Sequence, residues 1–272
     1  MIGFPIFDRS TNPIGLTDFG REYIKAAEHI MDAQTQFQNF VSDVNGLRVG
    51  SITVGATNLF TSYILPPILS RFTALYPKVT VDLVEAGTAE LTERLLSGRV
   101  DLIIENMELD PDVFERLPFC PEHLLLTVPK ALASARRAEK WALTAQDVRE
   151  GRHLEDACSA VPLELFKDDE FLFLKSGNDT RARAKRICAA AGFVPRVKLE
   201  LEQQITAYNL SACGMGISFS GDLLISRVPP SDSLCFFKLG GEEAVRTVSF
   251  YLKRSRYHMK AIEAFLDCAA ER

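Results

Sequence analysis

The stretch from Arg48 to Glu105 alternates strand-like and helix-like patterns, and it constrains the fold more than any other part of the chain. Strands are predicted at 48–55, 79–84 and 101–104, each a short apolar or alternating run. Between them, apolar residues recur every three or four positions, which indicates two helices. Strands joined through helices by short loops pair in parallel with right-handed crossovers. The stretch therefore predicts a βαβαβ unit.

Polar side chains stand where these strands end and the helices begin. Thr57 and Asn58 follow the first strand, Thr88 follows the second, and Asn106 follows the third. In such sheets, ligands bind outside the carboxyl ends of the strands, where helix N-termini present free amide donors. We therefore expect these four residues to line a ligand-binding edge. Thr57, Asn58 and Thr88 are also residue types that cap helices, so capping is their alternative role.

A second unit of the same kind is predicted between residues 171 and 219. Strands are expected at 171–174, 196–201 and 216–219, with helices at 180–191 and 203–213. Polar residues again follow the strands: Ser176 and Asn178 after the first, Gln203 and Gln204 after the second. On helical geometry, one of the two glutamines is expected to point to solvent. Two such units, joined by two crossings of the chain, predict two lobes around a cleft.

Residues 4–20 predict a hairpin that leads into a long helix. Two short strands flank a turn-rich tip, and Thr17 is placed to cap the helix. Apolar residues then recur at helical spacing for about seven turns. No neighbour in sequence covers this face, so we expect it to pair with a second chain. The residues expected at that interface are Phe19, Tyr23, Ile30, Phe37, Phe40 and Val44. A helix packed on its own domain is the alternative.

Several segments of the chain resemble the LysR-type transcriptional regulators. FPIFDR (4–9) and LTDFG (16–20) resemble the wing and the start of the linker helix of that family. Segments that resemble its effector domain are Leu65-Pro66, Arg71-Phe72, Tyr76-Pro77, EAGT (85–88), LLSGRVDL (95–102), AAAGF (189–193), ACGMGI (212–217) and the closing helix around 264–266. The resemblance covers essentially the whole chain. It implies an α/β fold with a two-lobed effector domain like the type II periplasmic binding proteins.

The resemblance also implies a division of the chain. Residues 1–46 would be a wing remnant and a dimerising linker helix, 47–123 with 226–272 the first lobe, and 124–225 the second. In this family a helix-turn-helix precedes the wing, and the chain begins at Met1 where that element should end. We therefore expect the helix-turn-helix to be largely missing, and DNA to be a partner only if the full-length protein has it. The tip residues Arg9, Ser10 and Thr11 are then expected at most to contact DNA phosphates.

Composition and motifs narrow the classes of function. The net charge of −5 argues against a surface that binds nucleic acid throughout. No apolar run reaches the roughly 18 residues of a membrane helix, and the N-terminus is unlike a signal peptide, so we expect a cytoplasmic protein. The six cysteines and four histidines show no metal-ligand spacing. No catalytic motif assembles, so we expect neither an enzyme nor a cofactor or metal.

The expected partners are a small-molecule effector and further copies of the chain, as a dimer or a tetramer. Hydroxyl and amide side chains recognise ligands by hydrogen bonds, which favours a small polar metabolite. Relatives that bind dicarboxylates can carry an arginine near the end of the third strand, where Asn106 stands here, so we expect at most one anionic group, a carboxylate, held at helix N-termini.

The main hypothesis is a ligand-responsive transcriptional regulator of this family. The alternative is a stand-alone cytosolic ligand-binding or co-regulatory protein without specific DNA binding.

The segment 151–169 is longer than the segment that the family usually carries at this place. We interpret it as an added loop and helix, with a lid over the cleft as the other possibility.

Overall fold

The structure of the protein, a computed structural model, describes residues 4–10, 12–44, 50–256 and 259–271. Its strands are β1 Phe7–Asp8, β2 Gly15–Leu16, β3 Gly50–Ala56, β4 Val79–Glu85, β5 Leu102–Glu105, β6 Phe114–Pro129, β7 Glu170–Leu174, β8 Arg196–Leu201, β9 Ile217–Gly221, β10 Leu234–Lys238 and β11 Val245–Lys253. Its α-helices are α1 Asp18–Val44, α2 Leu65–Leu75, α3 Thr88–Leu96, α4 Ala133–Arg137, α5 Ala145–Arg149, α6 Asp179–Ala190, α7 Gln204–Ala212, α8 Asp222–Ile225 and α9 Lys260–Ala270.

Both predicted βαβαβ units are present. β3 pairs in parallel with β4 and β5, and β7 pairs in parallel with β8 and β9. The strand order is β4-β3-β5-β11-β6-β9-β7-β8, with β10 beside β6. Each unit keeps the carboxyl ends of its parallel strands at one edge, with the following helices starting there. The α/β fold of two lobes is therefore confirmed.

The two lobes share strand β6. Its first half pairs with β11, from Phe114 opposite Lys253 to His123 opposite Val245, and its second half pairs with β9 and β10. The sequence predicts a strand at 124–128 only, because Pro118 and Pro121 interrupt the pattern upstream. A proline removes a ladder hydrogen bond and argues against a paired strand. Here β6 accommodates the irregularity at Phe119, which is left unpaired between Cys120 opposite Val248 and Pro118 opposite Ser249.

Two hydrophobic cores lie on the two halves of this sheet. In the first lobe, α2 and α9 pack on β3 and β11, and the rings of Phe72 and Phe265 meet edge to face at 5.5 Å. In the second, α6 packs on β7 and β9, and the rings of Phe171 and Phe219 stack at 6.1 Å. The first core also extends to the second unit, through Tyr208 of α7 and Phe236 of β10. Among the described residues, no helix has the length and apolar character needed to cross a membrane.

The domain boundaries inferred from the resemblance stay a prediction, and the strand pairing bears on one of them. Residues 226–272 are expected in the first lobe. However, β10 pairs with residues 125–129 of β6, and Phe237 joins the second core. Phe236 of the same strand packs in the first core, so β10 contacts both cores.

Two prolines stand where the first helical segment restarts. A π-helical turn spans Phe60–Ile64, and α2 begins at Leu65 with Pro66 and Pro67 in its first turn. Proline is tolerated there because the amide groups of a first turn have no partner within the helix. The restart leaves residues 57–60 at the sheet edge.

The hairpin and the long helix are also found at the N-terminus. β1 and β2 pair antiparallel, and the hydroxyl of Thr17 accepts a hydrogen bond from the Gly20 amide at 2.8 Å, which caps α1. A Cβ at Gly20 would lie 2.1 Å from the carbonyl oxygen of Ile6, so this contact of hairpin and helix requires glycine. The 27 residues of α1 span about 40 Å at 1.5 Å per residue.

The 151–169 segment is an added piece of the second lobe. It contains two short 3₁₀ helices, Arg152–Leu154 and Leu163–Phe166. The amide of Val161 donates to the carbonyl of Lys238 at 2.9 Å, and Leu163 and Phe166 are buried in the second core. These contacts fix it beside β10, so it is not a lid over the interlobe cavity. That it is an addition to the family's fold stays a prediction.

Candidate ligand-binding site

A cavity of about 340 Å³ lies between the lobes, at the edge where the parallel strands end. The helical segment after β3 and the helices α3, α6 and α7 all start at this cavity. It is lined by all eight residues that the sequence indicates: Thr57, Asn58, Thr88 and Asn106 from the first lobe, and Ser176, Asn178, Gln203 and Gln204 from the second. The structure thus brings together in one place side chains that lie up to 147 residues apart in the chain, from Thr57 to Gln204.

The first-lobe side chains bond to acidic groups. Thr88 does not cap α3, whose N-cap is Gly87; its hydroxyl donates to Oε2 of Glu105 at 2.8 Å. The amide of Asn58 donates to Oε1 of Glu85 at 3.2 Å. Thr57 is half-buried, and its carbonyl accepts from the amides of the first helical turn after β3. The capping role is therefore wrong for Thr88.

The four second-lobe side chains have different roles: Asn178 caps a helix, Ser176 lies at the rim, and the two glutamines line the cavity. Oδ1 of Asn178 accepts from the amide of Thr180 at 2.9 Å, so Asn178 caps α6 and also lines the cavity. Ser176 is exposed at the rim. Both glutamines line the cavity, although one was expected to face solvent. Gln203 is the extended residue before α7, and helical spacing does not apply to it.

Gln204 presents an unsatisfied acceptor in a buried place. Its side chain is 9% exposed, and Nε2 lies 3.5 Å from the hydroxyl of Thr180. Its Oε1 has no hydrogen-bond partner among the described residues. A buried polar atom without a partner costs free energy, about 1–3 kcal/mol. A donor group on a ligand would remove that cost.

Glu105, at the end of β5, is a cavity residue that our sequence analysis does not select. The residue is buried, and burial raises the pKa of its carboxyl group. Hydrogen bonds from Thr88 and the Asn106 amide and the charge of Arg246 act in the opposite direction, and burial is the largest effect. Its position was a signal, because a carboxyl group directly follows the buried run Leu102–Ile104 at the ligand-binding edge of the sheet.

A chain of hydrogen bonds continues from Glu105 across to the second lobe. We call Glu105, Asn106, Glu122, Arg246, Asp179 and Thr180 the interlobe network. The Asn106 amide donates to Oε1 of Glu105 at 2.8 Å, and its Nδ2 donates to Oε2 of Glu122 at 3.1 Å. Arg246 on β11 donates to the same oxygen of Glu122 at 2.6 Å. Its Nη1 then reaches the start of α6, at 2.9 Å from Asp179 and 3.0 Å from Thr180.

The centre of this network is fully removed from water. Glu122 is 0% exposed and Arg246 is 4% exposed, so their opposite charges must compensate each other. Gly221, opposite Leu124 at the end of β9, makes room for them, because a Cβ there would lie 2.1 Å from Oε1 of Glu122. The pairing links a β6 residue to a β11 residue 124 positions away.

The cavity carries donors and acceptors suited to binding. Lys175 is the one cation among its described lining residues, and it pairs with Glu202 at the rim. That described lining contains no histidine or cysteine. Such a set of groups recognises a ligand by hydrogen bonds and helix-terminal amides.

Residues 45–272 match the family described as the LysR substrate binding domain. The chain belongs to the LysR family. It is 26% identical over 270 residues to an uncharacterised HTH-type transcriptional regulator of Bacillus subtilis, YcgK, which covers 99% of this chain and 82% of that protein. The chain is therefore the effector-binding part of a LysR-type transcriptional regulator, and such regulators bind small-molecule effectors and DNA and form oligomers.

Two solved structures of LysR-type regulators show the same fold. A full-length OxyR variant of Pseudomonas aeruginosa matches with a TM-score of 0.70 and 19% identity, over 99% of this chain and 81% of that chain. The BenM effector binding domain with its effector benzoate matches with a TM-score of 0.61 and 19% identity, over 81% of this chain and 90% of that chain.

The LysR wing tip is only partly available for DNA contacts. Arg9 and Ser10 are exposed, but the amide and the hydroxyl of Ser10 both donate to Oδ1 of Asp8, at 2.9 and 2.5 Å. These bonds lower the pKa of Asp8, which keeps a negative charge beside the tip. Thr11 lies outside the described residues. Phosphate contact by this tip stays a prediction.

The linker helix of this LysR-type chain exposes apolar side chains. Tyr23, Ile30 and Phe37 are 41%, 70% and 67% exposed, whereas Phe19 is half-buried and its ring lies 5.4 Å from that of Phe4. The side chains of Phe40 and Val44 lie outside the described part. A stripe of this kind is typical of a helix that pairs with another.

Proposed function

We propose that the interlobe cavity binds a small polar effector with at most one carboxylate, and that the eight lining residues predicted from the sequence contact it. The observation that carries the proposal is the convergence of four helix starts and unengaged polar atoms on one cavity. Amides at helix N-termini and the free Oε1 of Gln204 offer complementary donors and acceptors.

The charges around the cavity limit the effector to one anionic group. Helix N-termini carry about half a positive charge each, which suits a single carboxylate. Against this, Glu90, Glu105 and Glu202 bring acidic groups to the lining, and Lys175 is already paired. A second carboxylate would therefore meet repulsion. The benzoate bound by the BenM domain of the same fold is a monocarboxylate, which supports this class.

The effector acts by shifting the relation of the two lobes. It contacts both lobes, and the interlobe network joins them directly beneath it. A ligand that binds one arrangement more tightly shifts the population toward it, and α1 transmits the change to a paired chain. We expect the protein to work in the cytoplasm as a homo-oligomer. The described lining of its cavity is made mainly of groups that recognise a ligand by hydrogen bonds, so the proposed activity is binding and not catalysis.

A thermal-shift screen of monocarboxylates, dicarboxylates and neutral polar metabolites tests this proposal. At a hundredfold excess over Kd, a cavity ligand stabilises the folded state by about 2.7 kcal/mol, which for a chain of this size is roughly 5–10 °C in Tm. We expect a monocarboxylate to give this shift and its dicarboxylate analogue a smaller one.

Variants locate the binding site. Thr88→Ala and Gln203→Ala should weaken the best ligand at least fivefold and leave the Tm without ligand within a few degrees. The controls Thr73→Ala and Gln146→Ala replace the same residue types on exposed faces of α2 and α5 and should not change the affinity. Equal affinity of all four variants would reject the assignment.

A further inference from the structure

His123, His153 and Asp222 converge from three separate segments on the side of the hinge away from the effector cavity. Oδ2 of Asp222 lies 3.1 Å from Nδ1 of His123 and 3.1 Å from Nε2 of His153. All three candidate ligand atoms lie within 4.8 Å of one another. The sequence shows no metal-ligand spacing because these residues are up to 99 positions apart. The fold brings them together.

The position of this cluster ties it to the hinge. His123 follows Glu122 on β6, and successive residues of a strand point to opposite faces of the sheet. Glu122 belongs to the interlobe network, so His123 lies on the opposite face. Asp222 begins α8 directly after β9, and its Oδ1 accepts the backbone amide of His123 at 3.0 Å. His153 comes from the added 151–169 segment.

The geometry points to a metal site, and we propose that His123, His153 and Asp222 bind a divalent transition-metal ion of the Zn²⁺ class. Two ligands at about 2.0–2.1 Å from a tetrahedral zinc ion lie roughly 3.3 Å apart. The two separations from Oδ2 of Asp222, 3.1 Å each, are close to this value, and all three ligand atoms lie within 4.8 Å of one another. Two imidazoles with one carboxylate form a set of borderline ligands that zinc-class ions accept.

A second cavity gives the ion access. It measures about 390 Å³ and is lined by His123 and Asp222 together with apolar residues of the first lobe. Three protein ligands leave at least one coordination position of the ion for water or another group. The second cavity shares no lining residue with the effector cavity.

The surroundings of His153 set the expected strength of binding. Its Nδ1 is buried and has no hydrogen-bond partner among the described residues. A ligating histidine normally donates this second N–H to an acceptor, and loss of such a partner weakens metal affinity about 10–100-fold. We therefore expect micromolar binding, as suits a reversible regulatory ion. A bound ion would join the 151–169 segment to β6 through His123 and to α8 through Asp222.

Titration of the chelator-treated chain with Co²⁺ and Zn²⁺ tests this proposal. Co²⁺ binding is followed by its visible absorption, and Zn²⁺ binding by competition with a chromophoric chelator. We expect one ion per chain. His123→Gln, His153→Gln and Asp222→Asn should each weaken binding at least tenfold. Circular dichroism of the metal-free variants checks their fold, and the half-buried His123 provides the test if the buried His153 cannot be replaced.

His29→Gln in α1 is the matched control for adventitious binding to a histidine, and it should keep the full affinity. The alternative arrangement is a hydrogen-bonded triad in which both imidazoles donate to Asp222 and no ion binds. Failure of the unaltered chain to take up one ion would establish that triad and overturn the metal site. Equal uptake by the His123→Gln/His153→Gln double variant would show that the ion binds elsewhere, which also overturns the proposal. Effector binding does not enter these measurements.

Discussion

At the scale of single residues, the carboxyl group of Glu105 lies in an environment that disfavours its charge. The folded state raises its pKa above the ordinary value of 4.5 because the group is buried. Between that value and the raised one, the folded state holds a proton that the unfolded state has lost. The free energy of unfolding therefore falls as pH rises through this window.

Glu105→Gln removes this titration, and we expect the variant to gain stability over the unaltered chain as pH rises from about 4.5. Urea unfolding at a series of pH values from 4 to 8 measures the difference. Glu93→Gln on the exposed face of α3 is the control and should give a flat difference. A difference for Glu105→Gln that is equally flat would show that burial does not govern this carboxyl group.

The buried pair of Arg246 and Glu122 yields a second prediction. Arg246→Met leaves the carboxylate of Glu122 buried without compensation, and we expect a loss of about 3–5 kcal/mol in the free energy of unfolding. Arg186→Met removes the exposed pair with Glu243 and should cost no more than about 1 kcal/mol. The Arg246→Met/Glu122→Leu double variant should recover much of the loss. An Arg246→Met cost like that of Arg186→Met would contradict the account.

At the scale of elements, the approach of β9 to β6 depends on one small residue. A Cβ at Gly221 would collide with the side chain of Glu122. We expect Gly221→Ala to lower the free energy of unfolding by about 1–3 kcal/mol through overpacking. Gly87→Ala, where nothing lies within 4 Å of the added Cβ, is the control for stability. Equal denaturation midpoints for the two variants would disprove the close fit.

The exposed stripe of α1 is the element on which self-association depends. Ile30→Glu and Phe37→Glu place charges on this stripe, and we expect the dimer to dissociate at least tenfold more readily. Sedimentation equilibrium measures the dissociation constant. Val194→Glu, at an exposed apolar residue of the second lobe, should leave it unchanged. An unaltered assembly in the α1 variants would place the interface elsewhere.

At the scale of the whole molecule, the sequence predicts the features that depend on short-range patterns. The parallel units, their polar edges and the cap at Thr17 all follow from patterns within about a dozen neighbouring residues. These patterns therefore predict that residues from Thr57 to Gln204 line one cavity. Local periodicity is sufficient for this prediction because βαβ crossovers place the carboxyl ends of all parallel strands at the same edge.

Contacts between distant parts of the chain were out of reach of that reasoning. Glu122 and Arg246, or His123 and Asp222, meet only because β6 runs through both lobes, and the prolines in β6 conceal its first half. The hydrogen bond of Thr88 was likewise out of reach, since its partner Glu105 lies on another strand. Pairings of this kind depend on the register between strands. That register cannot be read from a single sequence.

A crystal structure of the chain with the best monocarboxylate from the screen tests the central claim most directly. The account predicts density between the first turns of α3, α6 and α7, with ligand atoms within hydrogen-bonding distance of Thr88 and of Gln203 or Gln204. Ligand found only in the cavity behind the hinge, or on the surface, with the interlobe cavity filled by water, would contradict it.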